Sequence, residues 1–300
     1  IKKYMRIAIL GINGFIGRSI YKKLFNQGHE IIPLVREKQG NFFQYNKIKP
    51  IKYNLGEPLP NSLIKLNPEI IINLAWEGIP DFSLQKCLKN LNNQIKFLKK
   101  IHKLVGLKKY ISLGSCLEYG DISGICKEDK RVVPNNYFSF TKNSLQKITA
   151  LYCKIRSIDF IWFRVFYVYG PGQRKKSLIP SLIESFKKNK KPDIDNPYKK
   201  LDFIYIDDVV IALIKSIDKK IDSGIYNIGS GKLISIKKII GLVENHICKS
   251  NIYTNSISKK MDNNQIEKSF YADINKIKIK LKWKPSTSIM NGVKKSCAEY

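Results

Sequence analysis

Gly11-Ile12-Asn13-Gly14-Phe15-Ile16-Gly17 follows the apolar run Met5-Arg6-Ile7-Ala8-Ile9-Leu10 and leads into an amphipathic pattern over residues 18–27. Strand, glycine turn and helix in that order are a device for holding a pyrophosphate. Gly11 permits the tight turn, Gly14 lets backbone amides approach the phosphates, and Gly17 lets the helix pack closely on the strand. The helix N-terminus adds unpaired N–H groups and a partial positive charge. A second apolar run, Glu30-Ile31-Ile32-Pro33-Leu34-Val35, comes after Gly28-His29. The turn therefore has the flanks of a dinucleotide-binding unit, with Phe15 and Ile16 among the contact positions.

Strand and helix patterns keep alternating downstream. Residues 51–55 and 69–75 read as a third and a fourth strand. Apolar positions 84, 87, 88, 91, 95, 98, 101 and 104 recur at helical spacing. A fifth strand, 109–113, ends in Gly114-Ser115, and a helix over 138–153 is followed by a strand over 159–165. Further on come a Gly170-Pro171-Gly172 turn, a lysine-rich helix over 180–188, and a strand over 203–206 running into Asp207-Asp208 and another helix. Such alternation implies a parallel sheet with helices on both faces and ligands beyond the strand C-termini.

A chain of 300 residues with 43% hydrophobic content buries a sizeable core. No apolar stretch is long enough to span a bilayer, and Ile1-Lys2-Lys3-Tyr4 leads into a strand, so a cytoplasmic protein is expected. The formal charge of +30 invites a nucleic-acid reading. Yet the basic residues are mostly scattered lysines beside abundant Asn and Ile, as an A/T-rich genome writes into any surface, and Arg is scarce. Nucleic acid is accordingly not the expected partner, while a positive field draws in a polyanionic small molecule. Cys87, Cys116, Cys126, Cys153, Cys248 and Cys297 contain no Cys-x-x-Cys pair and no His at metal-ligand spacing, so reduced thiols and no metal are expected.

Several further segments carry a resemblance. They are Asn73-Leu74-Ala75, Ser115-Cys116-Leu117-Glu118-Tyr119-Gly120, Thr141-Lys142, and Arg164-Val165-Phe166-Tyr167-Val168-Tyr169-Gly170-Pro171-Gly172-Gln173. Leu201-Asp202-Phe203-Ile204-Tyr205-Ile206-Asp207-Asp208-Val209, Gly224-Ile225-Tyr226-Asn227-Ile228-Gly229-Ser230-Gly231 and Trp283-Lys284-Pro285 complete the set. In this order the chain resembles an extended short-chain dehydrogenase/reductase of the NAD-dependent epimerase/dehydratase family, which acts on nucleotide sugars. The resemblance implies an α/β fold, a doubly wound Rossmann parallel sheet with a smaller C-terminal substrate lobe. Residues 1–166, joined by roughly 202–228, would form the NAD(P)-binding domain; 167–201 and 229–300 would form the lobe.

Family chemistry uses a Tyr phenol for proton exchange, a Lys four residues later that lowers the phenol pKa and holds the ribose, and a Ser or Thr that polarises the sugar oxygen. Ser115 and Lys142 match the last two, but Phe138 stands at the Tyr position. The adjacent Tyr137 would serve only through a π-bulge or a late helix start, because one residue turns a side chain by roughly 100°. Ser115 or a substrate-ordered water is the other candidate. Sugar 4,6-dehydration needs acidic residues where Cys116 and Leu117 stand, so it is disfavoured. What remains is epimerisation, reduction or dehydrogenation at one sugar carbon, C4 by resemblance, in cell-surface polysaccharide sugar biosynthesis. The alternative is a non-catalytic NAD(P)-binding sensor, or an RNA-binding protein, on a dehydrogenase scaffold.

For the cofactor, the resemblance places Leu74 and Ala75 against the dinucleotide and Asn54-Leu55 beside the adenine. Arg36, at the end of the second strand, would fork a 2′-phosphate and so favours NADP over NAD, with Glu37 as an alternative partner for the ribose. Glu118 is expected to contact a sugar hydroxyl, and Arg174, with Lys175 beside it, the substrate pyrophosphate. The helix from Leu84 and the one carrying Lys142 would form a four-helix homodimer interface.

Overall fold

The computed structural model describes residues 4–36, 49–218, 221–257 and 268–300. The first half runs β1 (Arg6–Leu10), α1 (Phe15–Phe25), β2 (Glu30–Val35), β3 (Ile51–Lys52), α2 (Asn61–Leu66), β4 (Ile70–Asn73), α3 (Leu84–Lys100), β5 (Lys109–Ser115), β6 (Gly124–Cys126), α4 (Tyr137–Ile155) and β7 (Asp159–Val165). The second runs β8 (Tyr167–Tyr169), α5 (Leu178–Lys187), β9 (Lys200–Leu201), β10 (Phe203–Tyr205), α6 (Ile206–Asp218), β11 (Gly224–Ile228), β12 (Ile234–Ser235), α7 (Ile236–Cys248), α8 (Ile252–Ser256), β13 (Phe270–Ala272), α9 (Asn275–Leu281) and α10 (Ile289–Glu299).

Seven strands form one sheet in the order β3-β2-β1-β4-β5-β7-β11. β1 pairs in parallel with both β2 and β4, and the β2–β3 and β4–β5 pairs are parallel too. The order reverses between β1 and β4, and a crevice opens there beyond the strand ends. Strand residues Ile7, Ala8, Ile9 and Ile72 are wholly buried, as a sheet covered on both faces requires. On one face α3 contributes Phe97 and Leu98, and α4 contributes Leu145 and Cys153, to a core with Ala8, Leu10, Ile71, Tyr110 and Trp162.

Local chemistry explains where element ends depart from expectation. α1 starts at Phe15, so the glycine turn runs directly into its first turn. β3 stops at Lys52, and Asn54 and Leu55 fall in a turn closed by Glu57 N–H to the Asn54 carbonyl. β4 stops at Asn73 because that side chain accepts from Ala75 N at 3.1 Å and bends the chain away. α5 begins at Leu178, and Pro180 sits within its first turn, where a missing N–H costs nothing.

The chain divides into two compact units. The first comprises the described residues of 1–120, 131–164 and 210–226; the second comprises 121–130, 165–209 and the described residues of 227–300. This division differs from the expected 1–166 with 202–228. β6 pairs with β13, which carries 121–130 into the second unit, and β10 pairs with β8, which carries 202–209 there.

In the second unit α5, α7 and α10 pack together. The buried Asp202 carboxylate accepts from Ser230 N (2.7 Å), Gly231 N (3.0 Å) and Ala272 N (3.0 Å). Asp208 accepts from Ser286 N and Thr287 N, both at 3.0 Å, and its carbonyl accepts from Trp283 Nε1. Two of the segments that carry the resemblance, 201–209 and 283–285, are thus the internal fastening of this unit.

Candidate active site

At the C-terminal end of β1, Gly11 has φ +75°, and a Cβ there would lie 2.9 Å from both the Ala75 nitrogen and the Leu74 carbonyl carbon. Gly14 N–H donates to the Gly11 carbonyl at 2.9 Å. Gly14 also caps α1 with no side chain to occupy the orphan amides, and no acid lies in the first turn. A methyl group on Gly17 would run into the Gly11 carbonyl oxygen. Helix and turn are therefore as close as backbones can pack, and the first amides of α1 are left to an anion.

Among the described residues, this turn borders a cavity of about 670 Å³ lined also by Arg36, Asn54, Leu55, Leu74, Ala75, Trp76 and Glu77. Phe15 and Ile16, half-buried in the first turn of α1, are not part of that lining. A glycine cradle at a helix N-terminus, opening on a cavity of this size, fits a dinucleotide. Arg36 lines the cavity, as expected of a residue at the end of β2, but its guanidinium is shared with a carboxylate. Its Nη1 lies 3.1 Å from Glu77 Oε1, and Lys89 Nζ lies 3.5 Å from the other oxygen. Asn54 donates to Glu57 Oε1 at 2.8 Å. Glu37 lies outside the described residues.

Ser115 ends β5, and its Oγ accepts from Leu117 N at 3.1 Å, leaving the hydroxyl proton to donate. Glu118 completes this tight turn by accepting from Ser115 N at 2.8 Å. The same carboxylate accepts from Trp162 Nε1 (3.1 Å) and Arg164 Nε (3.1 Å) and is fully buried. Burial pushes its pKa up, while the Arg164 guanidinium and the Ser115 amide pull against that rise. Ser115 N, Trp162 Nε1 and Arg164 Nε all donate to its oxygens, so the ionised form suits the site. Glu118 is thus an internal strut, and the expected contact with a sugar hydroxyl is corrected: no face of it reaches solvent.

Lys142 on α4 is 7% exposed. Its Nζ donates to the Leu113 carbonyl at 2.9 Å and stands 4.2 Å from the Trp76 ring centre. Burial pulls its pKa down to about 8, with Glu118 opposing. One turn earlier, Phe138 is buried, stacked on Phe82 at 4.4 Å and edge-on to Trp76 at 5.5 Å.

Tyr137 does not share this face. The helix begins at Tyr137 itself, set by a reciprocal cap in which Asn136 Oδ1 accepts from Ser139 N and Ser139 Oγ accepts from Asn136 N. It is α-helical through Ile155, so neither a late start nor a π-bulge occurs. Tyr137 therefore lies about 140° round the helix from Lys142 and is 53% exposed. The expected catalytic place for Tyr137 is corrected on that ground. Arg174 is exposed in the loop before α5, within the second unit.

Sequence reasoning missed Trp76, Phe82, Glu77 and Asn90. Trp76 and Glu77 follow Asn73-Leu74-Ala75 directly, and the rule that ligands gather beyond strand C-termini was the signal available for them. Among the described residues no cluster of three His, Cys, Asp or Glu side chains is placed to hold a metal. No helix there is long and apolar enough to cross a membrane.

The model of the NAD dependent epimerase/dehydratase family matches residues 7–229. The UDP-glucuronate 4-epimerase of Thermodesulfobacterium geofontis is 31% identical, over 96% of this chain and 94% of its own length. The dTDP-6-deoxy-L-talose 4-dehydrogenase (NAD(+)) of Aggregatibacter actinomycetemcomitans is 26% identical, over 79% of this chain and 88% of its own. Among solved structures, a Tyr-to-Phe mutant of the UDP-glucuronic acid 4-epimerase of Bacillus cereus, in complex with UDP-4-deoxy-4-fluoro-glucuronic acid and NAD, superposes with a TM-score of 0.83. It is 24% identical and covers 98% of each chain.

Removing one partner of a buried ion pair strands the other, so Glu118→Gln should destabilise the protein by roughly 3–5 kcal/mol. Urea denaturation measures this, and Glu118→Leu with Arg164→Met should recover most of the loss. Lys142→Met should be more stable than the wild type at pH 7, because no charge is then buried. Between about pH 8 and the ordinary value of 10.5 the unfolded wild type holds the Lys142 proton that the folded form has lost. Wild-type stability therefore rises with pH in that window and the gap should close, as thermal melts across pH 7–10.5 would show.

Proposed function

This chain belongs to the NAD dependent epimerase/dehydratase family, and from that premise we propose that it binds NAD and a nucleotide-linked sugar. It oxidises, reduces or epimerises one sugar carbon, the 4-position, in the making of cell-surface polysaccharide sugars. The observation that carries this reading is the glycine cradle at the start of α1, opening on the cavity that Leu74, Ala75 and Trp76 line. Relatives named as 4-epimerase and 4-dehydrogenase support the choice of carbon.

Bound nicotinamide supplies the hydride acceptor or donor. Ser115 offers its hydroxyl proton to the sugar oxygen. Lys142 places a positive charge at the inner end of β5. The proton that a phenol would move passes through Ser115 and an ordered water, since Phe138 has no exchangeable proton and Tyr137 faces away. Cys116 is buried and Leu117 is apolar, so the acids that dehydration needs after Ser115 are missing and the 4,6-dehydratase reading is disfavoured. NAD is preferred over NADP because Glu77 already holds Arg36.

Phe138 favours a second reading, binding without turnover. A phenyl ring boxed by Phe82 and Trp76 keeps the shape of the site while deleting its acid. In the Bacillus cereus enzyme, a Tyr-to-Phe mutant is found with nucleotide sugar analogue and NAD bound.

A second copy of the chain is the proposed partner. α3 exposes Leu84 (45%) and Leu88 (49%), while α4, packed beside it, exposes Phe140, Ile148, Leu151 and Ile155 at helical spacing. Such a stripe on adjoining helices is the seat of a four-helix contact. Leu88→Glu with Leu151→Glu should then run as a 34.6 kDa monomer in light scattering, and the wild type as twice that mass.

For the enzyme reading, either NADH consumption with at least one nucleotide-linked 4-keto-hexose or interconversion of nucleotide-linked C4 epimers in the presence of NAD should be seen, and Phe138→Tyr should speed it by about 10²-fold. Neither reaction by either protein, with NADH still bound, would favour the binding-only reading.

A further inference from the structure

Arg36 follows β2 directly and lines the same cavity as the glycine turn. An arginine fork in that place suits a phosphate on the adenine ribose. Here the fork is met by a carboxylate from the loop after β4: Glu77 Oε1 lies 3.1 Å from Arg36 Nη1, and Glu77 Oε2 lies 3.5 Å from Lys89 Nζ.

Glu77 is not a loose surface side chain that happens to fall there. Its backbone N–H donates to Asn90 Oδ1 at 2.8 Å, and its carbonyl accepts from Asn90 Nδ2 at 2.9 Å. Asn90 is 5% exposed and also donates to the Lys86 carbonyl on α3. A buried amide thus clamps the loop after β4 from both sides and sets the direction in which the Glu77 carboxylate leaves it.

We propose that Glu77, positioned by Asn90, is the residue that makes this pocket select a dinucleotide with a free 2′-hydroxyl over one with a 2′-phosphate. This rests on the NAD reading above. The carboxylate offsets the charge of Arg36 and of Lys89 and would accept hydrogen bonds from ribose hydroxyls. A phosphate brought to the same place meets like charge. The Arg36 and Glu77 side chains are 68% and 37% exposed, so the pair itself is weak. Its consequence lies in the charge it presents, which salt should screen.

The test is binding of NADH and NADPH, followed by nicotinamide fluorescence at low salt, to the wild type, to Glu77→Gln and to Glu77→Gln with Arg36→Gln. Glutamine keeps both backbone bonds to Asn90, so the loop is preserved. The expected result is that Glu77→Gln shifts the NADPH-to-NADH affinity ratio towards NADPH by about tenfold or more, through tighter NADPH binding. The double variant, which leaves only Lys89, and high salt should each reduce the shift. An unchanged ratio, with both nucleotides still bound, would overturn the assignment to Glu77 and leave the dinucleotide reading standing. Failure of the wild type to bind either nucleotide would overturn both.

Discussion

One buried carboxylate organises the chemistry end of the sheet. Glu118 sits in the turn after β5, yet its partners come from two strands: the Ser115 amide from β5, and the Trp162 indole and Arg164 guanidinium from β7. A lone carboxylate at zero exposure would be pushed towards protonation. With donors on each oxygen and a guanidinium in contact, it stays anionic and pulls the neighbouring strand ends into one arrangement. Its field reaches Lys142, where it offsets part of the cost of burying the ammonium. Even Gly114 answers to it, because a methyl group there would strike the Glu118 carboxylate and the Trp162 ring. Ser115 and Lys142, the two groups that match the family's chemistry, are therefore held by an ion pair neither of them belongs to.

Legibility in the sequence follows the range of the forces involved. The glycine turn could be read residue by residue, because what it demands is backbone space, and Gly11, Gly14 and Gly17 advertise that directly. The alternating strands and helices were equally plain, since a parallel sheet needs apolar runs of strand length and amphipathic runs between them. Glu118 was visible only as a polar residue near Ser115, and a sugar contact looked reasonable. Its real partners lie 44 and 46 residues away, and no local pattern reports them. The partner of Arg36 was hidden for a related reason. Glu77, which occupies its guanidinium, comes from a loop 41 residues on.

Tyr137 and Phe138 show how little separates two opposite readings of a site. Both are aromatic, adjacent and at a helix start, so the outcome hangs on where the first turn begins. Asn136 and Ser139 decide it by satisfying each other's backbone amides, and the first helical residue becomes Tyr137. That places Phe138, one helical turn before Lys142, on the inner face. Which residue becomes the first of the helix is set by the mutual hydrogen bonds of Asn136 and Ser139, which the aromatic pair itself does not report.

The surroundings of Phe138 bear on whether its loss of a hydroxyl is a lone accident. Deleting a phenol oxygen from an otherwise unchanged site would leave a polar hollow and a lysine with nothing to activate. Instead Phe82 stacks on the ring, Trp76 meets its edge, and the Trp76 face receives the Lys142 ammonium, whose remaining direct bond goes to the Leu113 carbonyl. The aromatic groups supply to the ammonium what an adjacent phenol would have supplied, a negative surface in a dry setting. Lysine and phenyl ring have thus been accommodated together, and the positive charge survives where the proton carrier does not. A retained charge without a phenol still orients a dinucleotide and still steadies an oxyanion. What it cannot do is deliver a proton at the pace of a hydrogen-bonded phenol, so in the proposed reaction Ser115 and an ordered water would carry the proton instead.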